Sequence, residues 1–363
     1  MTELTKPLIK IDFLRMMMTS REGDRREGIL LRQSKGWFQV SGMGHEAIGA
    51  IAHLLNEDDF LFPYYRDRGL MMARGLTTED LALAYFAKRD SSSGGRQMPG
   101  HYSSRKHNIG SVCTPTGGGL IPGAGVAWGM KLDGKKNVVI ATVGDAAMRQ
   151  GEFYEAWAFA VQEKLPLIIA IEDNKYGIST PTAHFMALNH PGIIGMEHVI
   201  KVDGRTPDSV LDGAGRAIAK ARAGDGPTIL WFDLDRLSSH TSSDDHRTYR
   251  DADEIAEMAD RDPIKLLKDE LVAAGELTEE SFNKLQEEVI AEVDRIYRDA
   301  ESAEDPRAEE VMDHLWGAPD QPVTPPISTG NQTMVEAINK TFDKALASDQ
   351  NIIFFGEDIE DPK

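Results

Sequence analysis

Between residues 138 and 232 the chain repeats one pattern: a short, mostly aliphatic or β-branched run, then a segment of helix length. The runs fall at 138–143, 167–171, 198–202 and 228–232, and each leads into Gly, Asp or Asn. A strand that is apolar on both faces must be covered on both faces, which is the condition of a parallel sheet packed between helices. The intervening segments read as those helices. Residues 151–164 carry Phe153, Ala156, Trp157, Ala160 and Val161 at helical spacing, and 207–223 carry Val210, Ala214 and Ala217 likewise. The fold class this predicts is α/β, a doubly wound parallel sheet with helices on both faces.

Beyond Arg261 the pattern changes. Residues 262–274 and 278–301 read as amphipathic helices, the second opened by Thr278 with Glu280 close behind, and they form a C-terminal helical appendage. Residues 317–332 hold Pro319, Pro322, Pro325, Pro326 and Gly330 in a polar setting, the composition of an extended linker. After it, 334–348 reads as a helix and 352–355 as a strand leading to Gly356, Glu357 and Asp358. The expected organisation is a domain over 1–316, a linker over 317–332, and the start of a second domain over 333–363. About 30 residues cannot bury a core of their own, so the last segment reads as part of a longer fused chain.

Charge and cysteine usage exclude several function classes. The 40 Lys and Arg against 59 Asp and Glu give a net charge of −19, which repels nucleic acid and anionic membrane surfaces. An anionic ligand therefore needs a local cationic site. Cys113 is the only cysteine, so a disulfide within the chain and a cysteine-based zinc site are both ruled out, and a reducing cytoplasm suits the composition. Cys113 itself reads as a small packed residue. The N-terminal residues lack the unbroken apolar core of a signal peptide, and no run approaches the roughly 20 apolar residues of a membrane-spanning helix.

The chemistry concentrates at two strand ends. Gly144, Asp145, Ala146 and Ala147 follow the first run, and Glu172, Asp173, Asn174, Lys175 and Tyr176 follow the second. Ligands of open parallel sheets sit outside the carboxyl ends of strands, so Asp145 and Asn174 should face one crevice. Mg²⁺ takes hard oxygen ligands and often shares them with a phosphate. The Asp145 carboxylate, the Asn174 amide oxygen and the Tyr176 carbonyl could supply three. Either element alone is commonly an ordinary turn; together, across one strand–helix–strand unit, they resemble the thiamine diphosphate fingerprint.

That segment, continued through Gly177, Ile178 and Ser179, resembles the α subunit of the pyruvate and branched-chain 2-oxo acid dehydrogenases. Other motifs follow in the same order. Tyr65 and Arg66 with Gly69 resemble the family's Tyr-Arg pair at the cofactor diphosphate, and residues 95–102 are nearer the branched-chain members. Arg236, His240, Ser243, Asp244, Asp245, Tyr249 and Arg250 resemble the branched-chain active-site loop in spacing. The resemblance spans about residues 12–320, and the remainder from Thr333 resembles the opening of the family's β subunit.

The resemblance implies a thiamine diphosphate-binding fold. It implies that Tyr65, Arg66, Gly144, Asp145, Ala146, Ala147, Asn174, Tyr176, Ile178 and His240 meet the cofactor, with Mg²⁺ on Asp145, Asn174 and Tyr176. His240 would be the catalytic residue, orienting substrate or handling protons, a task apt for a side chain that ordinarily titrates near neutrality. The implied reaction is decarboxylation of a 2-oxo acid, branched-chain by likeness, with acyl transfer to the lipoyl domain of a dihydrolipoyl acyltransferase. The implied partner is a β-type domain or subunit carrying the glutamate that activates the aminopyrimidine, in a homodimer of fused chains or an α2β2 assembly. Pyruvate or acetoin dehydrogenation, and a catalytically silent structural subunit, are the alternatives.

Several positions depart from the family pattern. Ala146 stands for the usual Gly, Asp173 for the usual first Asn, and Thr241 for the serine beside the histidine that mitochondrial members phosphorylate. Ala187 stands where a phosphate-binding Arg is expected, and no Lys or Arg lies between Lys175 and Lys201; His184 or Arg149 could substitute. Gly117, Gly118 and Gly119 lack the Gly-x-Gly-x-x-Gly spacing of a dinucleotide site and read as a turn or a close packing point.

Overall fold

The computed structural model describes residues 8–183, 186, 194–317 and 330–356, so His184, Ala187, Glu357 and most of the Pro-rich segment lie outside the described residues. The chain divides into two compact units, Met1–Ala308 and Glu309–Lys363. The first opens with α1 (Lys10–Arg32), the 3₁₀ segment Glu46–Leu54, β1 (Phe60–Phe62), α2 (Arg68–Arg74), α3 (Thr78–Tyr85) and α4 (Leu120–Leu132). There follow β2 (Val139–Gly144), the 3₁₀ turn Asp145–Arg149, α5 (Gly151–Gln162), β3 (Leu167–Asp173), a small hairpin of β4 (Tyr176–Gly177) and β5 (Thr180–Pro181), β6 (Val199–Asp203), α6 (Pro207–Ala223) and β7 (Thr228–Asp233). Helices α7 (Ala252–Asp260), α8 (Pro263–Ala273) and α9 (Glu279–Glu301) complete it.

The five long-range strands form one parallel sheet in the order β1-β2-β3-β7-β6. Side chains of alternate residues point to opposite faces, and both faces are buried. Val139, Ala141 and Val143, with Leu167, Ile169 and Ile171, pack against α4 and α5. Val138 and Ile140, with Ile168 and Ala170, join the larger core under α6 and the N-terminal helices. This is the doubly wound arrangement that the unbroken apolar runs require. Because all strands run the same way, the carboxyl ends of β1, β2, β3 and β7 open at one edge.

The element bounds follow local chemistry. Helix α6 starts with Pro207 in its first turn and stops at Gly224, whose φ of +85° suits glycine. Helix α9 is capped by Thr278 in a reciprocal box with Ser281 rather than with Glu280. β1 escapes a reading by periodicity because three residues carry no pattern; it exists because Phe60, Leu61 and Phe62 pair with Val139, Ile140 and Ala141. In the second unit α10 (Met334–Ser348) is capped by Thr333 and Glu336, and Phe342 and Phe354 stack at 4.4 Å. Residues 352–355 are not a strand, correcting the expectation: a strand needs a partner ladder, and none lies beside them among the described residues. No helix among the described residues is long and apolar enough to cross a membrane.

The helix-to-sheet distance is set at one point by a missing side chain. A Cβ on Gly213 of α6 would stand 2.4 Å from Val202 Cγ2, a buried β-branched residue with little freedom to turn away. Gly215 on the same helix faces open space. Gly213→Ala is therefore expected to destabilise by about 1–3 kcal/mol through overpacking, whereas Gly215→Ala should stabilise by about 0.5–1 kcal/mol through helix propensity. Thermal unfolding of the two variants checks this; equal and positive shifts would contradict the packing.

Candidate active site

Four strand ends converge on a cavity of about 310 Å³. Residues after β1 (Pro63, Tyr64, Tyr65, Arg66), after β2 (Gly144, Asp145, Ala146, Ala147) and after β3 (Asn174, Gly177, Ile178) line it, together with His240 from the loop after β7. Cys113 and the glycine run 117–119 form a further wall. A crevice at the carboxyl ends of adjacent parallel strands is where the topology places ligands.

One wall is cationic. Arg66 is 2 % exposed and Arg236 is fully buried. Arg66 Nη1 donates to the Ser41 carbonyl at 2.6 Å, while its Nη2 reaches the His240 carbonyl at 3.2 Å and His240 Nδ1 at 3.3 Å. Arg236 donates to the carbonyls of Ser238 and Ile178 and to the Tyr249 hydroxyl, and its Nη1 lies 3.5 Å from the same Nδ1. Among the described residues no carboxylate pairs directly with either guanidinium. A guanidinium only donates, so Nδ1 must accept, and the imidazole proton sits on Nε2. Burial, then the charges of Arg66 and Arg236, lower the His240 pKa to about 4. This corrects the expectation of a histidine titrating near neutrality: His240 is a neutral ring offering an Nε2–H donor. Burial and the like charges of Arg66 and Arg250 likewise lower Arg236, to about 10. An anion placed here would relieve both.

The motif spacing of the loop after β7 is the scaffold of this histidine. Asp244 Oδ2 accepts the His240 backbone N–H at 2.7 Å and the Tyr249 hydroxyl at 2.6 Å. Arg250 donates to the Arg236 carbonyl at 2.8 Å and to the Asn174 carbonyl at 3.4 Å, and stacks over the Tyr176 ring at 4.3 Å. Each motif residue thus closes the loop on itself or ties it to the end of β3. Ile178 holds φ at +57°, a left-handed conformation costing a β-branched residue roughly 1–2 kcal/mol, and its carbonyl is the one that Arg236 fixes.

The ends of β2 and β3 carry the oxygen donors. Asp145 is 2 % exposed; Thr182 donates to its Oδ2 at 2.7 Å, and burial raises its pKa to about 6. A buried carboxylate so disfavoured in its charged form gains from an adjacent cation. Asn174 Oδ1 accepts the Tyr176 N–H at 3.3 Å, which fixes the amide with its oxygen lone pairs defined. One carboxylate with neutral oxygens suits a hard cation that keeps water and phosphate ligands, so Asp145 and Asn174 can hold Mg²⁺. Among the described residues no cluster of three His, Cys, Asp or Glu side chains is placed to hold a metal.

Of the ten residues singled out from sequence, nine line the cavity; Tyr176 does not. Its ring turns away to Arg250 and Tyr249, with its hydroxyl on Glu254 at 3.0 Å, leaving only its backbone for the site. Arg149, offered as a substitute cation, is exposed and outside the lining. The substituted positions have structural accounts. Asp173 accepts from Trp231 Nε1 and Lys175 Nζ, each at 2.8 Å. The Ala146 methyl would clash with any side chain at position 177, where a Cβ would stand 2.5 Å away, and residue 177 is Gly. The glycine run does form a turn, Gly117 at φ +80°, and Cys113, read as a packed residue, is partly exposed in the cavity wall.

Sequence reasoning missed a buried acidic group behind the wall. Glu172 is fully buried, accepts from the Tyr64 hydroxyl at 3.2 Å, and contacts His45 Nδ1. Burial and then Asp67 push the Glu172 carboxyl far up, and burial raises Asp67. The available signal was a glutamate directly following the apolar run Leu167, Ile168, Ile169, Ala170, Ile171.

A parallel-sheet enzyme with a cofactor crevice at its strand ends is the class that this fold and site define. The chain belongs to the dehydrogenase E1 component family, whose model matches residues 14–309, as an α-type first component of a 2-oxo acid dehydrogenase. It is 34 % identical over 313 residues to the 2-oxoisovalerate dehydrogenase subunit alpha of Bacillus subtilis (strain 168), covering 84 % of this chain and 94 % of that protein. The pyruvate dehydrogenase E1 component subunit alpha of the same organism is 31 % identical over 325 residues, 87 % of this chain and 84 % of that one. The Bacillus cereus pyruvate dehydrogenase E1 component subunit alpha is 32 % identical over 321 residues, with 87 % and 84 % covered. The family is thiamine diphosphate-dependent, and its α components work with a β subunit and a lipoyl acyltransferase.

The neutrality of His240 is directly measurable. Histidine NMR across pH 3–8 should show its ring titrating near pH 4, protonated at Nε2 above that; titration near 6.5 would mean that the guanidiniums do not face Nδ1. Because the folded pKa lies below the unfolded value, His240 contributes stability that is present above about pH 6.5 and lost as pH falls towards 4.

Proposed function

We propose that the cavity holds the diphosphate of thiamine diphosphate against Arg66 and His240. In this reading Mg²⁺ sits between that diphosphate and Asp145, Asn174 and the Tyr176 carbonyl, and the enzyme acts on a branched-chain 2-oxo acid. The observation that carries the reading is the pair of buried guanidiniums, without direct carboxylate partners among the described residues, converging on His240 in a cavity also lined by the buried carboxylate of Asp145.

When bound, the cofactor supplies the electron sink for decarboxylation, and the protein supplies orientation and electrostatics. Arg66 presents a planar fork suited to phosphate oxygens. His240 donates from Nε2 without adding charge of its own, and the same Nε2 proton is the one available to a reacting oxygen. Asp145 gives the cation one formal charge, and Asn174 gives it a neutral oxygen. Tyr64, Gly144 and Ala147 complete the lining beside these groups.

The branched-chain substrate rests on the spacing of Arg236 to Arg250 and on the likeness to a 2-oxoisovalerate dehydrogenase subunit. Pyruvate is the second reading, because pyruvate dehydrogenase α subunits are nearly as similar. The remaining partners of the reading are a lipoyl domain of a dihydrolipoyl acyltransferase and a β-type domain or subunit, in a reducing cytoplasm.

Asp145→Ala is expected to weaken Mg²⁺-dependent binding of thiamine diphosphate by at least about 100-fold, the upper range for disturbing a metal shell, as read by calorimetry on the complete protein. Unchanged affinity would remove the metal assignment. With an artificial electron acceptor and the β partner present, turnover should favour 3-methyl-2-oxobutanoate over pyruvate. The reverse preference would keep the family and overturn the substrate.

A further inference from the structure

Residues 39–44 form a bracket that bonds Arg66 and the backbone on both sides of His240. The Gln39 carbonyl accepts the Ser242 N–H at 3.0 Å and the Met43 carbonyl accepts the Leu237 N–H at 3.1 Å, so the bracket holds both flanks of His240. The Ser41 carbonyl accepts Arg66 Nη1 at 2.6 Å. The bracket packs on backbone too closely for side chains at two places. A Cβ on Gly42 would stand 2.7 Å from the Arg66 carbonyl oxygen, and one on Gly44 would stand 1.9 Å from that of Asp235.

This bracket is anchored to α1 through one residue. Asp24, 1 % exposed, accepts the Gly42 N–H at 2.7 Å and the Ser41 hydroxyl at 3.1 Å, both on Oδ2. Its backbone carbonyl accepts the Gln39 side-chain amide at 2.9 Å. The Ser41 hydroxyl oxygen in turn accepts the Met43 N–H at 3.1 Å. Asp24 Oδ1 has no hydrogen-bond partner and faces Arg68 Nη1 of α2 at 3.7 Å. A buried carboxylate is thus held with one oxygen accepting both bonds from the bracket and the other facing Arg68 without a hydrogen bond, an arrangement that costs stability.

We infer that Asp24 is a positioning residue of the active site: through Ser41 and Gly42 it fixes Arg66 and the loop of His240 in the geometry that receives the cofactor diphosphate. The inference rests on the reading of Arg66 and His240 as the diphosphate seat. The charged and titratable groups facing Asp24 are Arg68 from α2, Glu27 from α1, Glu46 from the 3₁₀ segment, and Tyr102. Burial pushes the Asp24 carboxyl up to about 7, against the pull of Arg68. The folded state therefore binds this proton more tightly than the unfolded chain. The cost of the ionised group is absent below about pH 4 and complete above about pH 7.

Asp24→Asn keeps the shape and one acceptor oxygen while removing the charge that strengthens both bonds to the bracket. A residue serving stability alone would leave the variant less stable at every pH. A carboxyl whose ionised form costs stability predicts instead a difference that changes with pH, and the positioning role is read from exchange and affinity. The variant should melt no lower than wild type at pH 8, with its relative stability falling as pH drops towards 4. Hydrogen exchange at the Leu237 and Ser242 amides should be faster in the protein without cofactor. Thiamine diphosphate with Mg²⁺, titrated by calorimetry into the complete protein, should bind about tenfold more weakly, the scale of weakening a hydrogen bond to a charged group. Ser41→Ala, which retains the charge and removes the hydroxyl bridge, should shift exchange and affinity in the same direction by less, and it decides the question if Asp24→Asn does not fold. Unchanged exchange at Leu237 and Ser242 with wild-type affinity in both variants would overturn the inference. Failure of the wild type to bind thiamine diphosphate would overturn the diphosphate reading on which it rests, while the exchange data would still decide whether Asp24 holds the bracket.

Discussion

Two guanidinium groups share one imidazole nitrogen, and much of the site follows from that contact. Arg66 and Arg236 both point at His240 Nδ1, which fixes the tautomer, holds the ring neutral and concentrates positive charge at the edge of the sheet. In water such a cluster would be screened; inside a protein it must be held by many fixed dipoles. The carbonyls of Ser41, Ile178, Ser238 and His240 supply them. The left-handed Ile178, the close approach of Gly44 to Asp235 and the Asp244 turn under His240 are all ways of bringing these acceptors to the two arginines.

The sheet makes this affordable in a chain whose net charge is −19. Strands β1, β2, β3 and β7 end side by side, so residues far apart in sequence become neighbours without any long side chain having to reach. Arg66 follows β1, Asp145 follows β2, Asn174 follows β3 and Arg236 follows β7. The acidic pair Asp67 and Glu172 lies close to Arg66 without forming an ion pair with it, and burial favours the neutral form of both carboxyls. The cationic face therefore stays available to an anionic ligand instead of being neutralised from within.

Much of this was legible in the sequence, for identifiable reasons. β2, β3 and β7 announce themselves as apolar runs because both their faces are largely buried, β6 through a shorter run at the sheet edge, and α6 through its Pro and Gly ends. β1 was not legible, since three residues hold no period and its existence depends on β2. The strand expected at 352–355 has, among the described residues, no neighbour of the kind that any strand requires. At the site, Asp145, Asn174, Arg66 and His240 stood out because turn residues at strand ends and a fixed loop spacing carry local signals. The lowered pKa of His240 and the roles of Asp24, Tyr64 and Glu172 did not, since each depends on groups brought in from distant parts of the chain. Glu172 left one trace, an acid directly after an apolar run; Asp24 left none, since an acid within α1 reads as an ordinary solvated helix position.

The central claim is that Arg66 and His240 receive a diphosphate, and Asp145 and Asn174 its metal. A crystal structure of the complete protein with thiamine diphosphate and Mg²⁺ tests it most directly. The account predicts phosphate oxygens within hydrogen-bond distance of the Arg66 guanidinium and His240 Nε2, with Mg²⁺ bound by the Asp145 carboxylate and the Asn174 amide oxygen. A diphosphate seated elsewhere in the protein, or one bound beside His240 with no metal on Asp145, would contradict it.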